Sequence, residues 1–354
     1  MPSAYSRTGV RTTEELSGFP RMLDVLRTTL GIRGDDAGRP CLDFGYYANV
    51  LDLGNNVGLA ISTDGVGTKI MVAEAMGKYD TIGIDCIAMN VNDVVCVGAE
   101  PIAMTDYIAV QEADGEMLSQ LAAGLKRGAE LARITIPGGE IAQVREIVNG
   151  IDLVGTCVGL VPVDRILTGK DVRPGDAIIG FASSGIHSNG LTLAREVLLG
   201  ERMSRLSERV AELGRTLGEE LLEPTRIYVD LALRLLAGVN VHALMHITGD
   251  GFLNLARVDA PVGFRIEHLP EAPAVFGLIA AAGNVSPADM YLTYNMGIGF
   301  CAVVPEGDAA RAIGIAAEAG IPGWRIGTCT DDPERLVDIT PVRLRSRGGH
   351  LEPY

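Results

Sequence analysis

The chain has 354 residues, 47% of them hydrophobic and 21% charged, with a formal net charge of −15. At about 100–200 residues per domain, this length predicts two compact domains with sizeable cores. The charge excludes general affinity for nucleic acid or anionic membranes, which needs clustered Lys and Arg. It leaves phosphate recognition open, because backbone N–H groups at turns and helix starts bind anions.

In chain order, residues 1–16 are polar and lack an apolar signal core. A polar arm and a short amphipathic helix between Phe19 and Leu30 are expected. The apolar run Val57–Ile61 leads into STDGVGTK (Ser62–Lys69). A helix start follows at Ile70–Met76, then a longer apolar helix at Ile82–Val97. Pro101–Val110 is strand-like. Leu118, Leu121, Leu125 and Leu131 recur at helical spacing and predict a helix over Glu116–Ala132. Ile151–Val161 is a second strand candidate. A Pro174–Gly175 turn before the apolar strand Ala177–Ala182 suggests a boundary, giving domains of residues 1–165 and 166–354. Helix and strand patterns then alternate to about Val337, and Ser346–Tyr354 reads as a loose tail. This mixture predicts an α/β (α+β) protein.

Cys41, Cys86, Cys96, Cys157, Cys301 and Cys329 form no CxxC pair. They predict a reducing cytoplasm, without disulfides or zinc. No apolar stretch approaches the roughly 20 residues of a membrane-spanning helix.

Five constellations carry chemistry. In STDGVGTK, Gly65 and Gly67 permit a turn whose N–H groups approach phosphate, though an ordinary Gly-rich turn has the same composition. Thr68 adds a hydroxyl and Lys69 a mobile, candidate catalytic charge. Asp64 is a candidate Mg²⁺ ligand. The GxxxxGK[ST] order of a Walker loop is absent. In NVNDVV, Asn92 and Asp93 place polar groups in an apolar helix, so a nucleotide, metal or hydrogen-bond partner is expected. In PGGE, Gly138 and Gly139 suit close approach to a nucleotide. Glu140 is a third candidate Mg²⁺ ligand beside Asp64 and Asp93, in a cluster suited to ATP.

ASSGIHSNG (Ala182–Gly190) precedes the helical pattern LTLAREVLL. Its Ser183, Ser184, Gly185, Ser188 and Asn189 suit either a phosphate site or helix capping. His187 is a candidate proton carrier near neutral pH. In MHITGDGFLN, His246, Thr248 and Asn254 are candidate substrate contacts. His242 and His246 have the spacing of a helical metal pair, but Thr248-Gly249 ends any such helix and no third ligand is evident.

TDGVGTK, GIDCIAMNVNDVVCVGAEP, SSGIHSNGLTLAR, LEPTRIYV, HITGDGF and MYLTYNMGIG (with Asn295) together resemble aminoimidazole ribonucleotide synthetase, from about Tyr5 to Val337. The resemblance implies a two-domain subunit whose N-terminal domains pair into an interfacial barrel in a homodimer. It implies a small-molecule ribonucleotide substrate, and ATP-dependent closure of formylglycinamidine ribonucleotide to aminoimidazole ribonucleotide with Mg²⁺. Three stretches depart from the family pattern. GGEIAQVRE (Gly138–Glu146) stands where GGETAEMPG is common, TGDGF where TGGGF is common, and LDFGYYANVLDLG (Leu42–Gly54) where a Gly-rich stretch is usual. They leave open a paralogue acting on another amide or amidine, or a non-catalytic ATP-binding regulator.

Overall fold

Side chains of a strand point alternately to its two faces, so a half-buried strand alternates inside and outside. That pattern runs along Val57–Gly65, Glu100–Val110 and Ile151–Pro162. The computed structural model describes residues 18–354; the expected polar arm of residues 1–16 lies outside them.

Six strands form the first sheet: β1 (Arg39–Pro40), β2 (Asn49–Asp52), β3 (Val57–Gly65), β4 (Glu100–Val110), β5 (Gly139–Gln143) and β6 (Ile151–Pro162). Their order is β1-β2-β3-β6-β4-β5, antiparallel except for β4 with β5. Four helices belong to this half: α1 (Phe19–Arg27), α2 (Ile70–Met76), α3 (Ile82–Cys96) and α4 (Gly115–Ala132). The expected helices and strands of this half therefore appear within a few residues of their predicted bounds.

Helix α3 is buried around nearly its whole circumference, as an apolar helix must be. It packs on β3 and β6 on one side and against Ala243–His246 and the helix Val229–Gly238 on the other. Its polar residues are therefore held between two halves of the molecule. The opposite face of the first sheet stays open, with Val57, Ile102, Tyr107 and Leu160 exposed.

The second sheet is built from β7 (Ala177–Ala182), then, after a small hairpin β8 (Arg209–Val210) and β9 (Arg215–Thr216), from β10 (Ala243–His246), β11 (Gly263–Ile266), β12 (Ile298–Val304), β13 (Gly323–Thr330), β14 (Val337–Ile339), β15 (Leu344–Arg347) and β16 (His350–Pro353). The order is β10-β12-β7-β13-β11-β14-β15-β16. The central strands β7 and β12 are buried almost throughout, which is why they read as continuous apolar runs. Helix α5 (Leu191–Leu198) follows the SSGIHSNG turn.

The expected loose tail is instead a hairpin. Arg347 pairs with His350, and Gly348 and Gly349 both have positive φ. That is the backbone of a two-residue hairpin turn, for which Gly-Gly is suited. Leu344 and Leu351 are buried and anchor the hairpin to the sheet. Among the described residues, no helix is long and apolar enough to cross a membrane.

Candidate active site

The end of β3 supplies the first part of the site. The strand runs out at Gly65, Gly67 takes φ +72°, and a tight turn at Gly67–Lys69 leads into α2. Buried Asn90 of α3 fastens this turn: its Oδ1 accepts from Asp64 N (3.0 Å), and its Nδ2 donates to Asp64 O (3.1 Å). The Asp64 carboxylate accepts from Gly65 N at 2.7 Å. Asp93, three residues further along α3, has one oxygen 2.9 Å from Nδ1 of the fully buried His246. Each carboxylate thus commits one oxygen to the protein.

Burial first, and then the Asp93 charge, push the Asp64 carboxyl up to about 6. A raised carboxyl is stabilising while protonated, so its contribution is lost as pH rises from about 4 through about 6. At neutral pH, Asp64 is therefore a liability for the fold of the free protein. Asp64→Asn is expected to raise the urea midpoint at pH 7.5, and the gain should vanish below about pH 4. An equal or lower midpoint at pH 7.5 would show that Asp64 is not strained by its neighbour.

Glu140 does not join this pair. Asp64 registers with Gly155, Gly155 with Asp106, and Asp106 with Gly139. At about 4.8 Å per strand, this puts the Glu140 backbone on the order of 14 Å from Asp64. Glu140, with Gly138 and Gly139, is exposed on or beside the edge strand. Among the described residues there is no cluster of three or more metal-ligating side chains. The three-acid Mg²⁺ cluster is thereby corrected to a carboxylate pair.

Lys69 is likewise not mobile. It is fully buried, with Nζ 2.9 Å from Asp85 and 2.5 Å from the Glu223 carbonyl. The same Asp85 oxygen accepts from Thr225 N and Oγ1, both at 2.7 Å, and from Ser188 Oγ at 3.2 Å. This buried node ties the first Gly-rich turn to the EPTR and SSGIHSNG segments. Thr68 adds a second tie, its hydroxyl 2.9 Å from that of Thr192.

The SSGIHSNG turn departs from the capping reading, and two of its serines are committed to other groups. The residue before α5 is Gly190, in the left-handed region, and no side chain caps the helix. Ser188 is spent on Asp85 and Thr225, and Ser184 Oγ donates to the Pro224 carbonyl at 2.5 Å. His187 is buried, and burial holds its imidazole well below the usual histidine range. It stays neutral near pH 7 and is not a protonated acid there.

Asn92, expected at the nucleotide, donates to Arg226 O and accepts from Tyr228 N instead. Asn295 binds the carbonyls of Gly185 and Ile186 and the N–H of Gly297. His246 braces Asp93 instead of reaching outward, and His242 is similarly paired with Asp176 at 2.7 Å. Gly65, Gly67, Thr68, Asn189 and Thr248 remain at least partly open. Asp250 pairs with Arg257 at 2.8 Å, and Arg257 lies over the Tyr47 ring. Asp85, Asn90, Thr225 and Arg226 were missed from sequence. The polar letters within the apolar runs of α3, and the TR pair of LEPTRIYV, were their only signal.

Two α/β halves bridged by a buried helix, whose acids meet a Gly-rich turn, define the class. Residues 45–161 match the N-terminal domain model, and residues 173–339 the C-terminal domain model, of AIR synthase related proteins. Over 340 residues the chain is 45% identical to the phosphoribosylformylglycinamidine cyclo-ligase of Thermococcus gammatolerans and 46% identical to that of Pyrococcus furiosus. Each match covers 96% of this chain and 99% of the relative. The Methanothermobacter thermautotrophicus protein of that name is 49% identical over 288 residues, covering 81% of this chain and 84% of the relative. The chain belongs to the phosphoribosylformylglycinamidine cyclo-ligase family.

Solved structures share the fold at low identity. A thiamine-monophosphate kinase from Stenotrophomonas maltophilia superposes with a TM-score of 0.61 at 21% identity, covering 92% of this chain and 96% of that one. A chain of a HypE–HypF complex gives 0.62 at 17% identity, covering 89% and 96%.

Proposed function

We propose that this enzyme closes the imidazole ring of a purine precursor: formylglycinamidine ribonucleotide and ATP give aminoimidazole ribonucleotide, ADP and phosphate. What carries the reading is near-full-length identity to cyclo-ligases in a chain that keeps the Asp64–Asp93 pair beside a Gly-rich turn. That identity weighs against a regulator or a paralogue with another substrate, despite the altered loop after Glu140.

An amide oxygen is a poor leaving group until it is phosphorylated. The formyl oxygen attacks the γ-phosphorus of ATP and ADP leaves. The amidine-side nitrogen then attacks the formyl carbon, the former formyl oxygen departs with phosphate, and loss of a proton completes the ring. Holding nitrogen and activated carbon together in one bound molecule is the main catalytic task. Asp64 and Asp93, two near carboxylates with one oxygen each to spare, fit Mg²⁺, which takes oxygen ligands. Bound there, the ion would neutralise phosphate charge. Gly65, Gly67 and Thr68 then face the nucleotide phosphates. Lys69 and Asp85 hold that turn against the second half of the chain. The required test is ADP release that depends on formylglycinamidine ribonucleotide; ADP release unaffected by that substrate would sink the reading.

We also infer a homodimer formed by the N-terminal domain, residues 1–165, with residues 166–354 as the second domain. The open face of the first sheet supports it: Leu59 pairs with Leu160 and Ile61 with Val158 across β3 and β6, a contiguous apolar patch of the kind that interfaces cover. Light scattering at micromolar concentration should give a dimer, and Leu160→Glu a monomer. A wild-type monomer would refute the assembly.

A further inference from the structure

We propose that Arg226, with Ser183 and His187, forms a pocket that holds a phosphate group of a substrate. The proposal deepens the ring-closure reading and rests on it only for the identity of the phosphate's owner.

The backbone at Arg226 is fixed from both sides. Its carbonyl accepts from Asn92 Nδ2 at 2.9 Å. The preceding Thr225 N–H is held by Asp85, and the Tyr228 N–H by Asn92 Oδ1 at 2.8 Å. The side chain, by contrast, makes no hydrogen bond or ion pair among the described residues. Arg226 Nε is buried without a hydrogen-bond partner, and among the described residues no carboxylate pairs with its guanidinium. The chain carries 45 Asp and Glu against 30 Lys and Arg, so carboxylates are abundant. Other arginines find them: Arg215 pairs with Glu220 and Glu223, and Arg257 with Asp250. An unpaired, partly buried guanidinium is costly to keep. A planar fork of donors matches phosphate.

Two further buried donors have no partner, Ser183 Oγ and His187 Nδ1, and the Arg226 charge acts on His187. The Ser184 N–H donates to His187 Nε2 at 3.3 Å, which leaves the ring proton on Nδ1. His187 therefore offers a neutral N–H donor. It sits at φ +66°, a conformation that costs a non-glycine residue energy and persists where the surroundings enforce it. Gly299 shows how tightly Ser183, His187 and Tyr228 converge. A Cβ there would lie 2.4 Å from His187 Cε1, 2.2 Å from Tyr228 Oη and 3.2 Å from Ser183 Cβ. Three basic groups, His246, Lys69 and Arg226, act on His187. A cation and two neutral donors describe an anion site.

The phosphate has two sources, the 5′-phosphate of the ribonucleotide and a phosphate of ATP. Calorimetry on the full chain separates them, with ribose 5-phosphate and a non-hydrolysable Mg·ATP analogue as probes. Wild type is compared with Arg226→Gln and Arg226→Lys. Arg226→Gln should lose affinity about tenfold or more for one probe, and Arg226→Lys should recover part of it. Its melting temperature should be unchanged or raised, since no side-chain contact of the free protein is broken. Loss confined to ribose 5-phosphate assigns the ribonucleotide phosphate, and loss confined to the analogue assigns the nucleotide. Unchanged binding of both probes, no binding of either by wild type, or a marked fall in melting temperature overturns the pocket. Binding is read without turnover, so phosphate binding with no ring closure would defeat the proposed reaction and leave the pocket standing.

Discussion

Asp93→Ala is expected to lower kcat/KM for substrate-dependent ADP release by on the order of a hundredfold or more, with Mg·ATP affinity falling in step. Two effects are combined in that variant. The carboxylate that would share a cation with Asp64 is gone, and buried His246 loses the acceptor 2.9 Å from its Nδ1. The second effect costs about 1–3 kcal/mol of stability. Asp93→Asn separates them. Its amide oxygen can still accept from His246, so stability should hold while the charge needed for Mg·ATP is lost. Calorimetry with Mg·ATP on both folded variants reads the difference. Unchanged affinity in both would remove Asp93 from the nucleotide site.

Lys69→Met should cost about 3–5 kcal/mol in urea denaturation, because it strands the Asp85 charge in a fully buried place. Adding Asp85→Leu to it should be less damaging than the sum of the single changes, as expected for groups in one network. Full rescue is not expected, since Asp85 also holds Thr225 and Ser188. A Lys69→Met protein of wild-type stability but without activity would instead mean that Lys69 leaves Asp85 and reaches the phosphates.

The contrast between Lys69 and Asp93 shows what the sequence made legible. Periodicity exposed α4, a long apolar run exposed α3, and strand-like apolar runs exposed β6 and β7, because burial sets those patterns locally. Asp93 stood out for the same reason, as an acid in an apolar helix. The partners that decide its role were not legible. His246 is 153 residues away and Glu223 is 154 residues from Lys69, and only tertiary packing brings them together. Ser188 looked like a cap or a phosphate ligand because both need a serine before a helix; the Asp85 node claims it instead. Glu140 was grouped with Asp64 by residue type, while the strand order separates them. The terminal hairpin was missed although its Gly348–Gly349 turn was in view, since four-residue strands carry too little alternation to separate from a tail.

Arg226 is the reverse case. LEPTRIYV stands out as a motif, yet nothing in the letters marks an arginine as unpaired. That property exists only once the surrounding carboxylates have been assigned to other partners.

The central claim is that ATP activates the formyl oxygen and that the same oxygen leaves as phosphate. Substrate carrying ¹⁸O at the formyl position tests this in a single turnover with the wild-type enzyme. The account predicts one ¹⁸O in each phosphate released, one ADP for each ring closed, and none of the label in the aminoimidazole product. Unlabelled phosphate, or ADP formed without ring closure, would contradict it.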